Sequence, residues 1–149
     1  MAFVPLVFSV SSFAAIDWND DDIAWFDYKS GLKTLQANDQ LGIVVMYADW
    51  CSVCLRYSAV FKDKKVVDAL KGVVMIKADA EKDTETQHLK EFDQKYLPKT
   101  IIIRPDGQPD MESYGTKRDQ MFFFPPDDIA LFVKYVNYVK QLNKARGAS

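Results

Sequence analysis

One stretch limits this chain more than any other: "GIVVMYADWCSVCLRYSAVF", Gly42 to Phe61. It begins as an apolar run of strand length, rich in β-branched residues, the pattern of a strand buried on both faces. It ends in a helical pattern. Between the two stand Cys51 and Cys54, the only 2 cysteines of the chain. Thiols so placed can be a redox couple, half a metal site or a structural staple. A structural zinc site takes four ligands. Here there are 2 cysteines and 1 histidine, His88, which falls on a polar helical stretch and reads as a surface residue. No metal and no cofactor is therefore expected. A disulfide across so short a loop constrains little of the unfolded chain and stabilises weakly. Reversible chemistry fits better. Cys51 would sit at a helix start, where unpaired N–H groups favour a thiolate. Cys54, one turn in, could attack a mixed disulfide formed on Cys51.

The flanking segments supply an α/β pattern. "IAWFDYKSGLKTLQAN" reads as a helix capped by Asp22, with Trp25, Tyr28, Leu32 and Leu35 on one face. After the cysteines a helix is predicted from about Val53 to Leu70, stopped by Lys71 and Gly72. "VVMIKAD" is a second buried strand, and "TETQHLKEFDQKY" a polar helix with Leu89 and Phe92 inward. "LPKTIIIRPDGQ" gives Pro98, a third apolar strand and a Pro-Asp-Gly turn. "MESYG" reads as a short edge strand and "TKRDQMFFFPP" as a loop with three adjacent phenylalanines. The last helix, within "DDIALFVKYVNYVKQLNKA", buries Ile129, Phe132, Val136 and Val139. The order α-β-α-β-α-β-β-α argues a sheet with helices on both faces.

A chain of 149 residues suggests one domain, here residues 15–149, and 48% hydrophobic residues suffice for its core. The net charge of −2, with no basic stripe, points away from a nucleic-acid partner. Residues 1–14 are apolar and uncharged, with Ser12 and Ala14 suitably small for cleavage after Ala14. They lack the basic start of a secretory signal. The segment reads either as a signal-like leader or as the tail of a membrane helix or an apolar first strand. The corresponding locations are periplasmic or otherwise exported, with a cytoplasmic alternative. The acidic run Asp17 to Asp22 reads as a solvated lead-in.

With these residues in view, the chain resembles thioredoxin-fold thiol–disulfide oxidoreductases. "YADWCSVC" is similar to the active-site segment of the C-terminal thioredoxin-like domain of DsbD and of related exported proteins. "LPKTIIIRPDG" resembles the corresponding segment of the TlpA and ResA group. The resemblance runs from about Asp17 to Leu142. It implies a central mixed β-sheet flanked by helices on both faces. It also implies that Cys51 is the exposed nucleophile and Cys54 the buried resolving thiol. Pro98 matches the family's cis-proline, Leu97 would present backbone groups to an extended substrate, and Trp50 would join the docking face. A core position for Trp50 is the competing reading.

Three departures matter. The buried carboxylate that many relatives carry six residues before the first cysteine is Val45 here. The acid that the DsbD domain carries four residues after its second cysteine is Ser58. Asp49 and Asp79 are the nearby carboxylates, with Asp49 expected to point outward. Between the cysteines lie Ser52 and Val53, with no histidine to stabilise a Cys51 thiolate, which places the pair toward the reducing end. The expected function is a disulfide reductase for exported protein disulfides, acting as a monomer and re-reduced by a membrane-bound or thioredoxin-like thiol donor. The rivals are an isomerase or oxidase, and a non-enzymatic binding module with a static disulfide.

Overall fold

The structure is a computed structural model that describes residues 13–90, 96–111 and 128–147. Among the described residues, four strands form one mixed sheet in the order β1-β3-β2-β4: β1 (Trp25–Phe26), β2 (Gly42–Tyr47), β3 (Met75–Asp79) and β4 (Lys99–Ile103). β3 lies parallel to both β1 and β2, and β4 is antiparallel to β2. Among the described residues, five α-helices flank it: α1 (Tyr28–Asn38), α2 (Ser52–Ser58), α3 (Lys64–Leu70), α4 (Gln87–Lys90) and α5 (Ile129–Ala145).

Strand alternation divides the core. Ile43 and Val45 of β2, Met75 of β3 and Ile102 of β4 face one way. They meet Cys54 and Tyr57 of α2, Val66 and Leu70 of α3, and Phe132, Val136 and Val139 of α5. Val44, Met46, Ile76, Ala78, Ile101 and Ile103 face the other way, against Tyr28 and Leu35 of α1 and Leu89 of α4. A period of two on the strands thus builds a helical layer on each side. Close approach of α1 to the sheet depends on Gly31, where a Cβ would collide with the Ile76 side chain and come within 3.2 Å of Phe26 Cβ.

Several boundaries differ from the sequence expectation. The first helix starts at Tyr28, not near Asp22, because Asp27 is its cap: Asp27 Oδ1 accepts the Ser30 N–H at 2.9 Å. The residues before it have a better use, since Trp25 and Phe26 pair with Met75 and Ile76 at the sheet edge. The helix predicted to run from Val53 to Leu70 is broken. A 3-10 turn spans Ala59–Lys62, and Asp63, in an extended conformation, caps α3 through the Lys65 N–H at 2.8 Å. Gly72 ends the region with φ of 81°, which a residue with a side chain rarely adopts. The acidic lead-in is not simply solvated. Trp18 is only 1% exposed and packs edge-on to Trp25, Phe61 and Tyr57. Its carboxylates stay outside, where Asp17 pairs with Lys62 at 2.8 Å and Asp20 pairs with Lys77. At the far end, buried Asn143 of α5 clasps Leu41: its Oδ1 accepts the Leu41 N–H at 2.7 Å and its Nδ2 donates to the Leu41 carbonyl at 3.1 Å.

Ile129 of α5 is partly buried, beside its fully buried partners Phe132, Val136 and Val139. Phe92, residues 112–115 of the expected edge strand, and the Thr116–Pro126 loop lie outside the described residues, as do residues 1–12.

Candidate active site

The cysteines sit where β2 gives way to α2, at the carboxyl end of a central parallel strand. Cys51 is the cap of α2, with φ of −80° and ψ of 106°. Its N–H donates to the Ala48 carbonyl at 3.1 Å, and its own carbonyl accepts the Leu55 N–H at 3.1 Å. Its Sγ accepts the Cys54 N–H at 3.1 Å. A first-turn amide is therefore already aimed at the sulfur, which is how a helix start stabilises negative charge. Cys51 and Cys54 are joined as a disulfide, with their Cα atoms 5.2 Å apart.

The two sulfurs are unequal. Cys54 is completely buried, whereas Cys51 retains 6% exposure. Both are buried, so Cys51 is far less open than an "exposed nucleophile" implies. The carbonyl oxygen of Leu97 lies 3.8 Å from its Sγ. The Leu97–Pro98 peptide is cis, with Leu97 half-buried and Pro98 buried at the head of β4. Trp50, by contrast, is 52% exposed, so it belongs to the surface beside Cys51 and not to the core. Leu55, one helical turn beyond Cys51, is also exposed.

Both nearby carboxylates have partners away from the cysteines. Asp49 does not point freely outward. It accepts the Ile16 N–H at 3.4 Å and binds Lys82 at 3.3 Å. Asp79 binds the same lysine at 3.3 Å and accepts the Glu81 N–H at 2.9 Å. Hydrogen bonds to Asp49 first and Asp79 second hold the Lys82 pKa above its ordinary value. Val45 is fully buried, and Ser58 turns its hydroxyl back to the Leu55 carbonyl at 2.7 Å. His88 is exposed but not idle, its Nε2 lying 3.1 Å from the Gly107 carbonyl and 3.3 Å from Tyr28 Oη.

Sequence reasoning missed one polar feature. Tyr57 Oη and Thr100 Oγ1 lie 2.6 Å apart, both residues about 1% exposed. Tyr57 follows Cys54 by three positions on α2, and Thr100 follows Pro98 by two on β4, so the spacings carried a signal. Burial pushes the Tyr57 phenol well above its ordinary range, and the bond to Thr100 offsets only part of that effect.

A family model described as "Thioredoxin-like" matches residues 23–105, a span that contains β1 through β4 and both cysteines. The chain belongs to the thioredoxin-like family. Among solved structures, it is similar to a thioredoxin from Thermus thermophilus. The identity is 19% and the TM-score 0.62, with 83% of this chain and 91% of that one covered. It is also similar to chloroplastic thioredoxin z, at 18% identity and a TM-score of 0.51, covering 86% and 96%. The reduced C-terminal domain of DsbD from Neisseria meningitidis aligns at 21% identity and a TM-score of 0.48, covering 76% and 91%. No match was found among curated proteins. A thioredoxin fold with a Cys-x-x-Cys pair at the start of a helix is the framework of a thiol–disulfide oxidoreductase.

Proposed function

We propose that this thioredoxin-like protein is a disulfide reductase acting on protein disulfides in an exported compartment. The observation that supports the reading is the inequality of the pair: Cys51 caps α2 and retains slight exposure, and Cys54 is completely buried. Cys51 attacks one sulfur of a substrate disulfide and forms a mixed disulfide. Cys54 attacks Cys51, the substrate leaves with two electrons, and the Cys51–Cys54 disulfide remains. Leu97 supplies backbone groups and Trp50 an apolar surface to the substrate chain, with Pro98 fixing the loop opposite. A dithiol donor, membrane-bound or thioredoxin-like, returns the electrons, because an exported compartment holds no reducing pool. The protein works as a monomer.

The lack of a histidine between the cysteines supports the reducing direction, since Ser52 and Val53 offer no charge to stabilise a Cys51 thiolate. Equilibration of the pair against glutathione tests this. The expected potential lies near that of thioredoxin, about −270 mV, and a value near that of a strong oxidant, about −120 mV, would sink the reductase reading. Failure of the pair to exchange with any dithiol would instead favour a static disulfide in a binding module.

A further inference from the structure

A tight turn delivers Cys51 to the cap of α2. The Cys51 N–H closes it on the Ala48 carbonyl at 3.1 Å, so Asp49 and Trp50 are its two central residues. The Asp49 carboxylate is gripped from two sides. Oδ1 accepts the Ile16 N–H at 3.4 Å, and Oδ2 binds the Lys82 ammonium at 3.3 Å. Each partner lies 33 residues away in sequence, one before the turn and one after it. The Asp49 side chain is only 21% exposed, so most of it is withdrawn from water between these partners.

Both partners are themselves braced. The segment that carries Ile16 is fixed by buried Trp18, by the Asp17–Lys62 pair and by Asn19, whose Nδ2 donates to the Phe61 carbonyl at 2.9 Å. Lys82 is held a second time by Asp79 at 3.3 Å. The loop leading to Lys82 is tied to the end of β2, where the Ala80 N–H donates to the Tyr47 carbonyl at 2.8 Å. Asp49 thus links the turn to an N-terminal strap and to the β3–α4 connection. Both of its oxygens are occupied in doing so. We propose that Asp49 is a positioning residue, whose bonds to Ile16 and Lys82 fix the Ala48–Cys51 turn and so hold exposed Trp50 in place to meet a protein substrate.

Ordering a surface side chain on binding costs free energy, and a turn fixed beforehand avoids that cost. Loss of the grip therefore weakens substrate binding more than the thiol chemistry, which depends on Cys51 as the cap of α2. Global stability changes little at Lys82, whose side chain is 75% exposed, because an exposed ion pair contributes little. The consequence for turnover rests on the reductase reading, whereas the placement of Trp50 does not.

The indole N–H resonance of Trp50, assigned with Trp50→Phe, tests the placement on the full, disulfide-bonded chain without turnover. Asp49→Ala and Lys82→Met should each shift or broaden it, while the Trp25 resonance keeps its parent position. The double variant should move the Trp50 signal no further than Asp49→Ala alone, because that substitution already removes both bonds. In turnover of a protein disulfide, Asp49→Ala should raise KM about fivefold and change kcat by less than about twofold. A Trp50 resonance unmoved in either folded variant would overturn the proposal, as would a fall in kcat with KM unchanged. Should Asp49→Ala not fold, Lys82→Met decides, since it removes one bond at an exposed side chain. A Trp50 resonance that moves as expected in a protein that reduces no disulfide would support the positioning role and remove the reductase function alone.

Discussion

The Leu97 carbonyl oxygen stands 3.8 Å from Cys51 Sγ, although 46 residues separate the two in sequence. The sulfur is therefore enclosed by the start of α2 on one side and the loop before β4 on the other. Cys54 is completely buried. In the reduced protein, Cys51 should be alkylated first, with a pKa below the ordinary thiol value of about 8.5. Cys54→Ser should accumulate mixed disulfides with substrate, and Cys51→Ser should not. Mass spectrometry of partially alkylated protein checks the order, and preferential labelling of Cys54 would reverse the roles.

Trp50 is exposed next to Cys51 in the chain and contributes no buried core surface comparable to that of Trp18. Trp50→Ala should leave the melting temperature within about 2 °C of the parent, as expected for a surface substitution. It should raise KM for a protein disulfide several-fold while sparing reduction of a small aromatic disulfide. Equal loss on both substrates would remove Trp50 from the docking surface.

Asn143 joins α5 to the entrance of β2 through two hydrogen bonds to Leu41. Asn143→Ala leaves the Leu41 N–H and carbonyl unpaired in a buried position. Each group so stranded costs about 1–3 kcal/mol, so a clear fall in denaturant midpoint is expected with an unchanged thiol potential. A midpoint equal to the parent's would mean that these groups find other partners.

Asp68 lies between Lys64 and Lys71, both at 2.8 Å, and its carboxyl is held down to about 2, first by the Lys64 bond and then by the Lys71 bond. The folded-state pKa is depressed, so the carboxylate's contribution is present above the unfolded value of about 3.9 and lost as pH falls toward 2. The group is open to solvent, which keeps the effect small and salt-sensitive. Comparing Asp68→Asn with the parent by thermal melts should show a small deficit near neutrality that closes between about pH 4 and pH 2. A deficit that widens on acidification would contradict this assignment.

What the sequence determined was local in origin. The β-branched run of β2 and the 3.6-residue spacing of α1 and α5 are written in neighbouring residues. So is the placement of Cys51 and Cys54 at a strand-to-helix junction, and together they led to the thioredoxin fold. The break at Asp63 and the start at Asp27 were less legible, because several aspartates can each cap a helix and tertiary pairing selects among them. Trp50 and Trp18 show the same limit. Both follow an aspartate and lie in polar surroundings, yet one is exposed and the other buried. That difference depends on which aromatic rings the fold brings together. Tertiary structure alone decided that Tyr57 meets Thr100 and that Asn143 meets Leu41. These contacts close over 43 and 102 residues, and only the strand register and the packing of α2 and α5 onto the sheet bring the atoms within bonding distance.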